Sequence, residues 1–327
     1  MKNVLEWLEA TVEKYPDKPA FSDTESGITF RQVYDIARNT GAYLIEQLGV
    51  DRTPVAVFAG RKMVTPAYFL GVVYAGRPYA PIDASLPDKR IEKILENLCP
   101  RAIVADRESR EHVESIVDEL EKSEGFDRPQ IFIAEDISRF EQVACADSNC
   151  KISESAGDAV SDSENDTDGG VVASCAGKTD DSSRDMLAVV RRQMPMTDPL
   201  YIIYTSGSTG NPKGVMTSHL SLMTYINAYC DVMHIEESDV LGNQSPLDYI
   251  AAIRDIYLPL KTGCSTAIIP KEYFMEPNAL FDYMNDKKVS SVGWSVSAFT
   301  ILTSLGAFEE VGLKSLRKIC FSGSVMP

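Results

Sequence analysis

A chain of 327 residues with 44% hydrophobic content can bury the core of one large domain or of two ordinary ones. Its formal net charge of −16 argues against a nucleic-acid-binding protein, which needs a basic face. The charge leaves nucleotides open, because a few lysines and backbone amides suffice to bind phosphate. The N-terminal segment lacks the apolar centre of a signal peptide, and no apolar run approaches the roughly 20 residues that span a bilayer.

The seven cysteines are odd in number and form no CxxC pairs, which favours free thiols in a reducing cytoplasm. Three of them, Cys145, Cys150 and Cys175, fit no zinc-ligand spacing and have no histidine nearby. We therefore expect a cytoplasmic protein without a nucleic-acid or membrane partner.

In chain order, apolar strands alternate with amphipathic helices up to residue 133. Strands are predicted at 20–22 and 28–30 (a hairpin), 54–58, 79–82, 102–105 and 130–133, and helices at 4–15, 31–48, 64–75, 87–98 and 108–122. This alternation predicts an α/β fold with βαβ units, mostly parallel sheets and flanking helices.

Residues 145–185 break that alternation. The segment is rich in Ser, Asp and Gly and nearly devoid of large apolar side chains, so it cannot bury enough surface to offset the entropy of ordering. We predict a disordered acidic insertion, with regular structure resuming at Met186.

Beyond Met186, the pattern of strands and helices returns. Strands are predicted at 200–204, 265–269, 289–294 and 317–321, and helices at 218–233, 254–260, 277–287 and 296–305.

The segment YIIYTSGSTGNPKG at 201–214 joins a β-prone run to small residues and a lysine. Glycine lets the backbone approach phosphate closely, hydroxyls add donors, and lysine adds a point charge. The loop fails the pattern GxxxxGK followed by Ser or Thr, because Pro212 precedes Lys213 and Gly214 follows it. It also fails GxGxxG. A flexible surface turn is the alternative to a phosphate site.

The run TSGSTGNPKG resembles the signature of the adenylate-forming superfamily, which includes acyl-CoA synthetases and nonribosomal peptide synthetase adenylation domains. The resemblance implies that this loop engages the β- and γ-phosphates of ATP, with Mg²⁺, while a carboxylate attacks the α-phosphate. The residues that it carries over to this function are Thr205, Ser206, Gly207, Ser208, Thr209, Gly210 and Lys213.

The block GVVYAGRPYAPIDASLPDKRI at 71–91 is similar to a stretch typical of amino-acid adenylation domains and D-alanine–carrier protein ligases. A weaker match lies at 27–44. The resemblance implies the N-terminal large domain of such a ligase, with transfer of the activated acid to a carrier-protein phosphopantetheine favoured over transfer to CoA. An acyl-CoA ligase remains the alternative.

The segment SPLDYIAAIRDIYLPLKTG at 245–263 aligns with the family's acid-binding block. The alignment places Tyr249 at the family's Phe and Ile250 at the Asp that pairs with a substrate ammonium. Ile cannot supply that charge-assisted bond, so we expect an acid without a free α-amino group. The alternative is that Asp248 substitutes, since residues 248 and 250 would share a face in a strand.

Two further family matches point to the acid pocket. SVGWSVSAF at 291–299 indicates Gly293, Trp294 and Ser295, and CFSGS at 320–324 indicates Cys320, Ser322 and Gly323. A plain core aromatic is the alternative for Trp294, and we interpret Cys320 as a small pocket wall rather than a nucleophile.

The resemblance implies two α/β subdomains, at 1–144 and at 186–327, on either side of the insertion at 145–185. The family's later blocks, which serve the α-phosphate, Mg²⁺ and ribose, and its C-terminal domain with a catalytic lysine, have no counterpart in the sequence. We therefore name no catalytic residue, and we expect this truncated form to make little adenylate alone. A non-catalytic nucleotide-binding module is the alternative.

Overall fold

A computed structural model describes residues 2–123, 125–137, 181–206, 211–310 and 312–325, with backbone only at 181–185 and 309–310. Twelve strands form two six-stranded sheets within this part of the chain. The strands are β1 (Pro19–Ser22), β2 (Gly27–Thr29), β3 (Val55–Phe58), β4 (Tyr79–Pro81), β5 (Ala102–Ala105), β6 (Gln130–Ile133), β7 (Pro199–Ser206), β8 (Pro212–Ser218), β9 (Val240–Asn243), β10 (Ser265–Ile268), β11 (Ser291–Ser295) and β12 (Lys318–Ser322).

The helices flank and separate the sheets. Their bounds are Leu5–Lys14, Phe30–Leu48, Thr65–Tyr74, Asp88–Leu98, Arg110–Glu121, Asp181–Gln193, His219–Met233, Ile253–Thr262, Pro277–Asp286, Val296–Ser304 and Ala307–Glu310, with short 3₁₀ turns at Ile250–Ala252 and Lys271–Met275. Side chains fix several helix starts: Thr29 and Gln32 form a capping box, and Ser218 accepts a hydrogen bond from the Ser221 backbone.

Strand order shows how the chain crosses between the sheets. The first sheet runs β6-β5-β3-β4-β7-β8, and the second runs β12-β11-β9-β10-β1-β2. All pairs are parallel except the hairpins β1–β2 and β7–β8. The N-terminal hairpin therefore belongs with the C-terminal strands, while β7 and β8 extend the N-terminal sheet. The predicted subdomain limits at 144 and 186 do not coincide with the division between the sheets.

Three hydrophobic cores lie in layers around the two sheets. The central core combines one face of each sheet with the helices between them, including Val57, Phe21 and Leu241. The second core covers the other face of the first sheet, where Ala56 and Phe58 meet the helices Asp88–Leu98 and Arg110–Glu121. The third core covers the other face of the second sheet. Alternation of side chains along each strand produces this layering.

The α/β architecture and the mostly parallel pairing predicted from the sequence are confirmed. Residues 145–180 of the insertion predicted at 145–185 lie outside the described residues. Residues 181–185 were assigned wrongly, because they begin the helix Asp181–Gln193. That helix packs Leu187 and Val190 into the central core, which provides the burial that orders it. No helix among the described residues is long and apolar enough to cross a membrane.

Candidate functional site

A cavity of about 870 Å³ lies between the two sheets, where their parallel strands end. Segments that follow β3 and β4 of the first sheet face segments that follow β9 and β10 of the second. Lining residues from these four segments include Arg61, Asp83, Asp248 and Ile269. Crevices at the carboxyl ends of parallel strands are the usual ligand sites of open α/β sheets. The topology therefore points to this edge of the molecule as the candidate site.

The predicted phosphate loop connects β7 to β8 at this same edge. β7 runs parallel to β4 and antiparallel to β8, in a register that pairs Thr205 with Lys213 and Ser206 with Pro212. Residues 207–210, which include Gly207, Ser208, Thr209 and Gly210, lie outside the described residues. Strands β7 and β8 thus form an antiparallel pair, and the described residues at the two ends of the loop lie across from each other.

The flanks of that loop are exposed and polar. Thr205, Ser206 and Lys213 are exposed, and the Lys93 ammonium donates to Asn211 Oδ1 at 3.1 Å. Exposed hydroxyls and an exposed ammonium are available to a ligand without breaking a buried contact. This arrangement is compatible with a phosphate site built from the backbone and a point charge.

The acid-binding block does not adopt the strand geometry considered for it. Asp248 precedes the 3₁₀ turn Ile250–Ala252, so residues 248 and 250 do not share a strand face. Asp248 lines the cavity, where burial and the neighbouring Asp83 carboxylate raise its pKa. Tyr249 and Ile250 are 55% and 48% exposed.

Paired positions of β11 and β12 bring several predicted acid-pocket residues onto one sheet face. Gly293 pairs with Cys320 and Ser295 pairs with Ser322. Gly323 follows in a left-handed conformation, with φ of 107°. Ser295 also accepts a hydrogen bond from the Ala298 backbone and so caps the following helix.

The structure does not bring Trp294 to that face. Trp294 is 2% exposed and lies in the third core, with its ring next to Phe274 and Phe299. Its indole donates to the Gly242 carbonyl at 2.9 Å. Because successive residues of a strand point to opposite faces, Trp294 cannot share the environment of Gly293. Its assignment to the acid pocket is therefore corrected to a core position.

A buried polar network that the sequence patterns do not predict includes Arg61, which also lines the cavity. Asn243 donates to Asp255 Oδ2 at 3.0 Å, and Arg61 Nη2 donates to the Asn243 carbonyl and to its side-chain oxygen, each at 2.9 Å. Arg254 Nε lies 3.3 Å from Asp255 Oδ1. Arg254 and Asp255 are both at most 5% exposed. The sequence feature that indicates this network is an Arg-Asp pair inside the apolar helix sequence IRDIYLPL.

Burial gives the two arginines of this network different electrostatic surroundings. Burial lowers the pKa of Arg61 to about 10, against the opposing charge of Asp255. Burial acts most strongly, to lower the pKa of Arg254, but Asp255 together with Tyr229, Tyr225 and Cys320 outweighs it and the pKa is raised. Arg254 is therefore held as a cation within the protein.

Fold and site together define an α/β protein with a ligand cleft between the carboxyl edges of two sheets and a glycine-rich hairpin loop at that edge. The model of the family described as "AMP-binding enzyme" matches residues 8–327, and the chain belongs to this family.

Among curated proteins, the chain is similar to the D-alanine–D-alanyl carrier protein ligase of Bacillus cereus (strain AH187), with 25% identity over 325 residues. A ligase of the same name from Bacillus mycoides (strain KBAB4) is 24% identical over 332 residues. Each alignment covers 99% of this chain but 54% of the relative, so the chain spans about half the length of these proteins.

Solved structures agree on the fold. The N-terminal domain of FACL13 from Mycobacterium tuberculosis has a TM-score of 0.72 at 18% identity, over 100% of this chain and 71% of that one. VinN in complex with L-aspartate has a TM-score of 0.73 at 15% identity, over 100% and 71%. The nonribosomal peptide synthetase FmoA3 has a TM-score of 0.70 at 20% identity, over 99% and 29%. The predicted resemblance to adenylate-forming enzymes, over their N-terminal portion, is confirmed.

Proposed function

We propose that this chain supports ATP-dependent activation of a carboxylic acid. In that reaction a carboxylate oxygen attacks the α-phosphorus of ATP, the bond to the β-phosphate oxygen breaks, and an acyl-adenylate and pyrophosphate form. The observation that carries the proposal is the position of TSGSTGNPKG: it joins β7 to β8 at the carboxyl edge of the sheet whose β3 and β4 lead into the cavity lining. Membership of the AMP-binding enzyme family supports it.

The nucleotide side of the proposed site uses the hairpin loop. Thr205, Ser206 and the backbone of residues 207–210 would donate hydrogen bonds to the β- and γ-phosphates, and Lys213 would add a positive charge. Preorganised donors of this kind stabilise the charge that develops on departing pyrophosphate.

Mg²⁺ stays a prediction. It is commonly held by one or two carboxylates together with substrate phosphates. Among the described residues, no group of three or more His, Cys, Asp or Glu is placed to hold a metal on its own.

The acid side of the proposed site comprises the face formed by Gly293, Ser295, Cys320 and Ser322, together with Asp248 on the cavity wall. We keep the hypothesis that the acid lacks a free α-amino group, because Ile250 offers no carboxylate. An acid panel decides this point: a standard α-amino acid as the best substrate would refute it.

Titration calorimetry of ATP with the chain tests the nucleotide site directly, and acid-dependent ATP–pyrophosphate exchange tests the reaction, on the chain and on a longer protein that contains it. We expect ATP binding that weakens in Lys213→Ala. Absence of ATP binding at millimolar concentration would refute the proposal.

Transfer of the acyl group to a carrier-protein phosphopantetheine, with CoA as the alternative acceptor, forms a further part of the proposal. The carrier protein ligases among the relatives support it. Thioester formation with each acceptor, followed by mass spectrometry, distinguishes the two.

A further inference from the structure

Arg254 is a buried cation whose hydrogen-bonding capacity is only partly used, because its Nε and Nη2 donors lack acceptors. Its side chain is 6% exposed, and neither Nε nor Nη2 has a hydrogen-bond partner of good geometry. Asp255 Oδ1 lies 3.3 Å from Nε but does not align with its N–H. Buried donors are almost always satisfied in folded proteins. The Nε and Nη2 donors of Arg254 are therefore available to a bound hydrogen-bond acceptor.

The groups around Arg254 connect it to the proposed acid pocket. A Cβ added at Gly293 would lie 2.4 Å from Arg254 Cζ, so the absent side chain of Gly293 is what makes room for the guanidinium. The guanidinium carbon lies 5.9 Å from the centre of the Tyr229 ring. Cys320, which pairs with Gly293 across β11 and β12, interacts with both Arg254 and Tyr229.

Solvent lies close to this cluster. Tyr225, which also interacts with Arg254, is 44% exposed, and Cys320 is half-buried. The guanidinium thus sits just below the surface beside the predicted acid-pocket face. A small molecule bound at this surface against Cys320 would meet the guanidinium that covers Gly293.

The charges of the buried network do not balance. Asp255 is the carboxylate that the described residues place against Arg254, and the same carboxylate also interacts with Arg61. Glu272 interacts with Arg61 as well, but it is exposed and therefore screened by solvent. Two guanidinium groups consequently share one buried carboxylate, which leaves an excess of positive charge.

We infer that Arg254 is a specificity-determining residue that binds a second carboxylate on the acid to be activated, an inference that rests on the proposed function. The Nε and Nη2 edge of a guanidinium donates two parallel hydrogen bonds to the two oxygens of a carboxylate. The substrate class is thus a dicarboxylic acid: one carboxylate reacts with ATP, and the other neutralises Arg254.

Two matched probes test this inference without requiring turnover. Each is a non-hydrolysable acyl-sulfamoyl-adenosine that mimics the adenylate; one carries a terminal carboxylate on its acyl chain, and the other carries the terminal amide. Pairs with four-carbon, five-carbon and benzoyl acyl groups cover uncertainty in length. We expect the carboxylate probe of the best pair to bind the chain at least about tenfold more tightly than its amide, because the amide leaves the buried cation unpaired.

Variants assign the preference to Arg254. Arg254→Met should reduce the ratio between the two probes to near one while adenosine sulfamate, which lacks the acyl group, binds as before. Arg254→Lys keeps a charge but lacks the planar fork, so it should retain only part of the preference; this variant carries the test if Arg254→Met does not fold. Lys261→Met removes a positive charge from the same helix and should leave the ratio unchanged.

The outcomes separate this inference from the proposed function. If both probes bind tightly and equally, or if the preference survives in Arg254→Lys and Arg254→Met, the inference is wrong while the proposed function stands. If neither probe binds better than adenosine sulfamate and ATP does not bind, the proposed function fails and the inference fails with it.

Discussion

The β7–β8 hairpin, whose loop is the proposed phosphate site, and the buried network around Asp255 are built in opposite ways. The hairpin is an outer strand pair with exposed Thr205, Ser206 and Lys213. The network is centred on the buried residues Arg254 and Asp255, which are 5% and 4% exposed, and it also includes buried Asn243 and half-buried Arg61. In the proposed function, the phosphates common to all reactions would meet local backbone and hydroxyl groups, whereas the variable acid would meet side chains whose positions depend on the whole fold.

The strongest way to break this comparison is to remove the carboxylate from the buried side. Asp255→Ala leaves Arg254 and Arg61 without their shared partner, and we expect the free energy of unfolding to fall by about 3–5 kcal/mol. Urea denaturation measures it. Glu272→Ala removes an exposed carboxylate near Arg61 and should cost under about 0.5 kcal/mol. A similar small loss for both variants would show that Asp255 is not needed to offset buried charge.

His219 directly follows strand β8 of the exposed hairpin but is itself buried, so it shows the effect of burial next to the hairpin. Its Nδ1 accepts a hydrogen bond from the Val4 backbone at 3.4 Å, and burial lowers its pKa from 6.5 to about 4. The unfolded chain therefore binds a proton first as the pH falls. Stability from this group is complete above about pH 6.5 and is lost between pH 6.5 and 4, by up to about 3 kcal/mol.

Urea denaturation of the wild type and of His219→Gln between pH 8 and pH 4 isolates this contribution, since the carboxylates titrate in both proteins. The unfolding free energy of the wild type should fall more steeply below pH 6.5 than that of the variant. Parallel curves would mean that His219 is not held neutral.

Gly293→Ala probes the contact between β11 and Arg254. The added Cβ would meet the guanidinium at 2.4 Å, so we expect a loss of about 1–3 kcal/mol in unfolding free energy, together with a weaker preference for the carboxylate probe. Gly27→Ala, on strand β2, is the matched control: its Cβ would have ordinary contacts from 3.5 Å outward. Equal stability of the two variants would contradict the close approach at Gly293.

The smallest effect is expected on the exposed side. Lys213→Ala should leave stability unchanged and weaken ATP binding about tenfold, or 1.4 kcal/mol, because it removes one charge-assisted contact. Lys122 is an exposed lysine that directly follows the helix Arg110–Glu121, and Lys122→Ala serves as the control for net charge. Calorimetry measures both. Unchanged ATP affinity in Lys213→Ala would remove this lysine from the phosphate site.

Most of the fold was predictable from apolar periodicity, and the exceptions have local causes. Strand β8 is not among the predicted strands because Pro212 and Gly214 disfavour strands; Pro212 is tolerated as the first residue of an edge strand, where no neighbour needs its N–H. Strand β9 was missed because Gly242 interrupts a short apolar run. The structure needs that glycine, since a Cβ there would lie 3.0 Å from Val289 and 3.1 Å from Val292.

The candidate site also contains residues that the sequence predicts and residues that it does not. The hairpin loop could be found because its chemistry depends on consecutive residues. The roles of Arg254 and Asn243 could not, because they depend on which strand face meets which helix after folding. Trp294 was misassigned for a related reason: a motif match places a segment near a site, but only the strand register decides which of its side chains face it.

The N-terminal hairpin has a consequence for the order of biosynthesis. Strand β1 pairs with β10, and the Ser265 hydroxyl donates to the Pro19 carbonyl, 246 residues earlier in the chain. At roughly 5–20 residues per second, a ribosome needs on the order of ten seconds or more after releasing β1 before its neighbour exists. Until β10 is made, the strand β1, which contains Phe21, lacks its parallel neighbour. The nascent chain must keep β1 from pairing with another strand during that time.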